Sequence, residues 1–194
     1  MTRFTIASFN VKNLIGPDKE YYEFQRYTPE EYAWKRDWMA EQLQSLNADV
    51  IGFQEIFEEE ALRDVITAAD AEGQAANAAS IPGADKPYRK KAIFRKLAYT
   101  PYAGAALAFA PNLNDGPAGE RRPGVAVLSR LGFEGAPEII QELSEPIRIP
   151  LQSLGGGDDA GHYTVKRLSR PILKVRIPVG GQVITLFNCH LKSK

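Results

Sequence analysis

Apolar segments of strand length recur along this chain, and three of them end on a polar residue. Phe4 to Phe9 gives way to Asn10, Val50 to Gln54 to Glu55, and Val183 to Cys189 to His190. Strands of one sheet finish on a common rim, so side chains far apart in sequence can meet there. The pattern confines the chain to folds built on sheets whose strand ends carry the polar chemistry.

The carboxy-terminal strand is the second half of a hairpin. Ile172 to Ile177 alternates Lys174 and Arg176 with apolar neighbours, Pro178 to Gln182 turns the chain, and Val183 to Asn188 returns. Gly180 and Gly181 supply the positive φ angles that a tight turn between strands requires. Further strands are expected around Ala105 to Ala110 and at Gly124 to Ser129.

Helical signals lie between the strands. Thr28 can cap a helix that opens on Pro29, with Glu31 completing a capping box. Tyr32, Met39, Leu43 and Leu46 then recur at helical spacing, which predicts an apolar face packed on a sheet. A second helix is predicted from Glu58 to about Asp70: Glu58, Glu59 and Glu60 suit its positive end, and Leu62, Val65, Ile66 and Ala69 form its buried stripe. Loops are expected over residues 12–27, 71–90 and 152–162. The last holds Gly155-Gly156-Gly157, which is no phosphate loop because the Gly-Lys-Ser/Thr ending is absent, and His162, read as a surface residue. The irregular order of strands and helices favours one layered α/β or α+β domain over residues 1–194.

Composition excludes several alternatives. No run of about 18 apolar residues occurs, so no membrane-spanning helix is expected. The amino terminus lacks the apolar core and cleavage site of a secretory signal, which favours a cytoplasmic protein. A single cysteine, Cys189, allows neither an internal disulfide nor a cysteine zinc cluster; its place between Asn188 and His190 puts it on the opposite face of its strand, read as a buried thiol. With 24 basic and 24 acidic residues the net charge is zero, which removes global basicity as a reason to bind nucleic acid. The charge is uneven, with 7 Lys/Arg against 14 Asp/Glu in residues 1–70 and 17 against 10 in residues 71–194. Lys86, Arg89, Lys90, Lys91, Arg95 and Lys96 are densest, interleaved with Tyr88 and Phe94. They lean toward nucleic acid if they are more than a solvated face.

An asparagine, a carboxylate and an imidazole brought to one rim suit metal-assisted phosphoester hydrolysis. A carboxylate such as Glu55 binds a hard divalent cation, an imidazole such as His190 moves a proton or steadies a phosphoryl oxygen, and an amide such as Asn10 orients its neighbours.

Four strings, in order, carry a resemblance: Ile6-Ala7-Ser8-Phe9-Asn10-Val11, Ala48-Asp49-Val50-Ile51-Gly52-Phe53-Gln54-Glu55, Gly124-Val125-Ala126-Val127-Leu128-Ser129-Arg130 and Phe187-Asn188-Cys189-His190-Leu191-Lys192-Ser193. They resemble the successive motifs of the endonuclease/exonuclease/phosphatase superfamily, which includes deoxyribonuclease I, abasic-site exonucleases, inositol polyphosphate phosphatases and neutral sphingomyelinases. The resemblance implies a four-layered αββα sandwich and hydrolysis of phosphoesters with Mg²⁺, or Mn²⁺ or Ca²⁺ in its place. It assigns Glu55 to the metal, Asn10 to the position beside it, and His190 to the phosphate and leaving group. Leu168-Ser169-Arg170-Pro171 looks like the segment in which an arginine contacts substrate phosphate, which implies that role for Arg170. Asn188 is expected to bind phosphate, brace the rim or pair with His190, and Gln54 to support Glu55. DNA, RNA, an inositol phosphate and a phospholipid headgroup all remain open as substrates.

The family pattern continues beyond the His-Leu motif with an Asp-x-Asn and a closing Ser-Asp-His, neither of which follows His190 here. The resemblance therefore covers the amino-terminal part of such an enzyme. It leaves the activity of these 194 residues in doubt, and it implies a sandwich incomplete on its carboxy-terminal side, marginal in stability for want of cover over the last strand. The alternative is a non-catalytic binding or regulatory domain that needs a partner or a second copy to complete the fold.

Overall fold

The computed structural model describes residues 3–22, 25–79, 98–114, 121–150 and 161–191. In chain order these form β1 (Ile6–Leu14), α1 (Pro29–Leu46), β2 (Val50–Ile56), α2 (Glu59–Ala79), β3 (Ala106–Ala110), β4 (Gly124–Ser129), β5 (Glu138–Pro150), β6 (His162–Val179) and β7 (Gln182–Cys189). The strands make two sheets, one ordered β1-β2-β4-β3 and the other β5-β6-β7. β1 and β2 are parallel, as a strand–helix–strand crossover through α1 requires, and every other pair is antiparallel.

The alternation of side chains divides the first sheet cleanly. Ile51 and Phe53 of β2, Ala126 and Leu128 of β4, and Leu107 and Phe109 of β3 face a core shared with Tyr32, Met39 and Leu43 of α1 and Leu62, Val65 and Ala69 of α2. The intervening residues, Val50, Ala108, Ala110, Val125 and Val127, meet Leu173, Val175 and Ile177 of β6 in a second core. The described residues thus stack as helices, sheet and sheet. β2 and β4 are buried on both faces, which is why Val50–Ile56 and Gly124–Ser129 read as near-continuous apolar runs. No helix among them is long and apolar enough to cross a membrane.

The α1 cap is as the sequence indicates: the Thr28 hydroxyl accepts from the Glu31 N–H at 3.3 Å, and the Glu31 carboxylate accepts from the Thr28 N–H at 2.9 Å. Asn47 ends the helix in the left-handed region. Gly180 and Gly181 make the β6–β7 turn with φ of 57° and 82°. Several expectations are corrected. β1 does not stop before Asn10 but runs to Leu14 through an irregularity after Asn10. α2 reaches Ala79, so 71–79 are helix rather than loop; the alanine-rich stretch continues the helix beyond its apolar stripe. Leu46, expected on the buried stripe of α1, is 41% exposed at the last turn. His162 opens β6 opposite Pro150 instead of sitting in a loop, and it is exposed.

β5 went unread in the sequence because Pro146 and Pro150 break its pattern. It is an edge strand, where proline is tolerated. Cys189 is exposed, not buried. It does lie on the face opposite Asn188, but that is the outer face of β5-β6-β7, and both described helices pack on the other sheet. The basic cluster Lys86–Lys96 and the triple glycine lie outside the described residues.

Candidate active site

The sheets bring three of the predicted residues to one point. Glu55, near the end of β2, is 20% exposed at its side chain and accepts from the Asn10 amide (Nδ2 to Oε1, 3.2 Å) and from the backbone N–H of Asn13 (to Oε2, 3.1 Å). The His190 imidazole, just past β7, has Nε2 3.5 Å from Glu55 Oε1. Residues 10, 55 and 190 therefore meet across β1 and β2 of the first sheet and the end of β7 in the second, rather than on the rim of a single sheet.

The backbone is distorted where they meet. Pairing shifts register between Asn10 and Leu14 on β1 and between Gln54 and Ile56 on β2. Lys12, Asn13 and Glu55 all have positive φ, at 52°, 64° and 67°. Such conformations cost on the order of 1–3 kcal/mol each outside glycine, somewhat less for asparagine, and occur where surrounding structure holds them. They swing the Asn13 N–H onto Glu55. Asn10 secures the other side, its Oδ1 accepting from the Lys12 N–H at 2.9 Å.

Beneath the rim a buried polar network joins the two sheets. Asn188 donates both amide hydrogens, to the carbonyls of Phe53 at 2.9 Å and Ala126 at 2.8 Å, and accepts from Gln54 Nε2 at 2.7 Å. Gln54 also engages the Ser8 hydroxyl and the Gly52 carbonyl. Gly52 leaves room for it, since a Cβ there would stand 3.1 Å from the Asn188 side chain and push it aside. The structure thus places Asn188, 6% exposed, as a brace between sheets with no amide hydrogen left for a substrate phosphate. Gln54 supports Glu55 indirectly, by fixing the strand that carries it to β7.

Arg170 reaches the same neighbourhood from β6. Its Nη1 donates to the carbonyls of His190 at 3.4 Å and Leu191 at 3.2 Å, tying down the segment that presents the imidazole. β6 is fixed just before it by a cluster that no local sequence pattern reports: Asn112 donates to the Ser169 carbonyl, while Asn114 and Gln141 donate to that of Leu168. Burial, and then the Arg170 charge, hold the His190 imidazole below its usual pKa against the opposing pull of Glu55, so the ring is neutral at pH 7. Its Nδ1 is buried without a partner among the described residues, as is Asn13 Oδ1.

The donor set is hard and sparse. No group of three or more His, Cys, Asp or Glu side chains suited to a metal gathers among the described residues. Glu55 offers a carboxylate, Asn10 an amide oxygen, and the unpartnered Asn13 Oδ1 is a further buried oxygen acceptor on the same distorted strand end. One carboxylate with neutral oxygens suits Mg²⁺, which keeps much of its water shell, better than a metal that needs a full protein cage.

Solved structures show a likeness in fold. The chain is similar to an endonuclease/exonuclease/phosphatase family protein from Leptotrichia buccalis C-1013-b, with a TM-score of 0.51 and 18% identity over 98% of this chain. The match takes in 54% of that protein, so the present chain spans about half its length. No family profile matches the chain, and no curated protein matches it. The fold of the described residues thus has a counterpart in a protein of that description.

Proposed function

We propose that this chain carries the metal-binding side of a phosphoester hydrolase site of the endonuclease/exonuclease/phosphatase kind. The observation that carries the reading is the convergence of Asn10 and His190 on one oxygen of a single carboxylate, Glu55 Oε1, at the rim of the sheets. The four ordered sequence motifs and the likeness of fold support it.

On this reading Glu55 and Asn10 hold a Mg²⁺ ion, with Mn²⁺ or Ca²⁺ able to substitute. A bound divalent ion would supply charge stabilisation to a phosphoryl oxygen. Asn10 and the Asn13 N–H keep the carboxylate in one orientation. His190, neutral at pH 7, can donate a hydrogen bond to a phosphoryl oxygen or take up a proton. Arg170 keeps His190 in place through the 190 and 191 carbonyls, and its remaining guanidinium hydrogens are suited to a phosphate. In the four-layered family sandwich a helical layer would lie on the outer face of β5-β6-β7. The substrate class remains a phosphoester, with DNA or RNA among the candidates.

The test is hydrolysis of plasmid DNA and of a chromogenic phosphodiester with Mg²⁺ or Mn²⁺. Metal-dependent turnover that Glu55→Ala abolishes is expected; turnover unchanged in Glu55→Ala would refute the metal role. The exposed apolar outer face of β7, with Val183 40% and Phe187 57% exposed, favours one second reading. It is a domain completed by a partner or a second copy, non-catalytic with any metal.

A further inference from the structure

A charged residue sits on the buried face of α1. Lys35 follows Tyr32 and precedes Met39 and Leu43 at helical spacing, and it is only 9% exposed. Lysine is seldom buried unless its ammonium is paired. Here, among the described residues, no carboxylate lies within ion-pair distance of it. Its Nζ instead donates to the backbone carbonyl of Lys12 at 2.7 Å and lies 5.2 Å from the centre of the Tyr27 ring. Tyr27 in turn donates its hydroxyl to the carbonyl of Asn13 at 3.1 Å.

The two carbonyls held in this way belong to the two left-handed residues of β1, Lys12 and Asn13. Those are the residues whose conformation turns the Asn13 N–H onto Glu55 Oε2. A strained pair of this kind relaxes unless its peptide groups are fixed from outside. The fixing comes from one ammonium and one phenol that also touch each other.

We infer that Lys35 and Tyr27 are positioning residues for the Glu55 site, clamping the strained Lys12-Asn13 turn so that its backbone N–H orients the carboxylate for a divalent cation. The inference rests on the metal reading of Glu55 proposed above, and it assigns a role to two residues that touch neither metal nor substrate. Lys35 would then act against its own charge. A cation near a cation site repels the incoming ion, so electrostatics taken by itself says that removing the ammonium tightens metal binding. A clamp says that removal loosens it. The two mechanisms differ in sign.

The experiment is calorimetric titration of the full chain with Mn²⁺, comparing wild type with Lys35→Met, Lys35→Arg, Tyr27→Phe and Glu55→Gln. Losing a group that orients a metal ligand commonly costs about 10–100-fold in affinity. Lys35→Met is expected to bind Mn²⁺ about tenfold more weakly and Tyr27→Phe less severely so. Lys35→Arg, which keeps a donor and a charge, should recover most of the loss. Equal or tighter Mn²⁺ binding by a folded Lys35→Met overturns the clamp. Should Lys35→Met fail to fold, Tyr27→Phe decides, since it removes one hydroxyl and leaves the packing; unchanged affinity there overturns the clamp as well. Glu55→Gln separates the two claims. If it binds Mn²⁺ as wild type does, the metal reading falls and the clamp falls with it. If it loses binding while Lys35→Met and Tyr27→Phe do not, only the clamp is wrong.

Discussion

Asn188 shows how a residue two positions from a candidate catalytic histidine can work as structure. Both its amide hydrogens and its carbonyl are engaged with β2 and β4, so Asn188→Leu leaves the Phe53 and Ala126 carbonyls and the Gln54 amide short of a partner. Each unpaired buried group costs about 1–3 kcal/mol. A lowered urea midpoint with an unchanged slope is the expected outcome, and a midpoint equal to wild type would count against the brace. Glu58 offers a test in pH. Burial raises its pKa, but Lys19, the Gly16 N–H and Arg121 outweigh burial and leave it below the ordinary carboxylate value. A depressed carboxyl stabilises the fold above its unfolded pKa, and that contribution fades as pH falls past this value and through the folded one. The stability gap between wild type and Glu58→Gln should therefore be widest near neutrality and close in acid; a gap independent of pH would exclude the linkage. Of the residues at the site, Asn10, Glu55 and His190 were legible because each follows an apolar run. Asn13, Tyr27 and Lys35 were not, because their part depends on a backbone distortion that no periodicity reports. Lys35 did leave one signal, a charge on an otherwise apolar helical stripe.

At the level of elements, local chemistry agrees with the fold where it is strongest. The Thr28–Glu31 capping box satisfies two free N–H groups at the start of α1, so Thr28→Ala should lower stability by about 1 kcal/mol, read as a shifted denaturation midpoint. No shift would mean that tertiary packing already fixes that end. Doubly buried β2 and β4 announce themselves as apolar runs, and the Gly180-Gly181 turn fixes the register of β6 and β7. β5 and the early part of β6 were hidden for a physical reason. As the edge of a sheet exposed over much of its length, β5 needs neither an apolar run nor freedom from proline. The middle of β6, at Leu168 and Ser169, is anchored by Asn112, Asn114 and Gln141, contacts between segments distant in sequence that no local pattern encodes.

For the whole molecule, the layers set what the site can do. The first sheet is covered on both sides, by helices and by β5-β6-β7, and it carries Glu55 at its rim. The outer face of the second sheet leaves Phe187, Val183 and Cys189 in water beside the Lys174–Glu138 and Arg176–Glu134 ion pairs. Burying a large apolar side chain is worth about 1.5–3 kcal/mol, so this face favours association. Sedimentation velocity should show concentration-dependent association in wild type that Phe187→Lys reduces; a wild-type monomer at every concentration would remove the argument. The central claim is that Glu55 and its neighbours form a divalent-cation site for phosphoester chemistry, and Mn²⁺ electron paramagnetic resonance tests it most directly. One bound Mn²⁺ per chain is expected, displaced by Mg²⁺ and lost in Glu55→Gln. No saturable binding in wild type, or the same binding in Glu55→Gln, would contradict it.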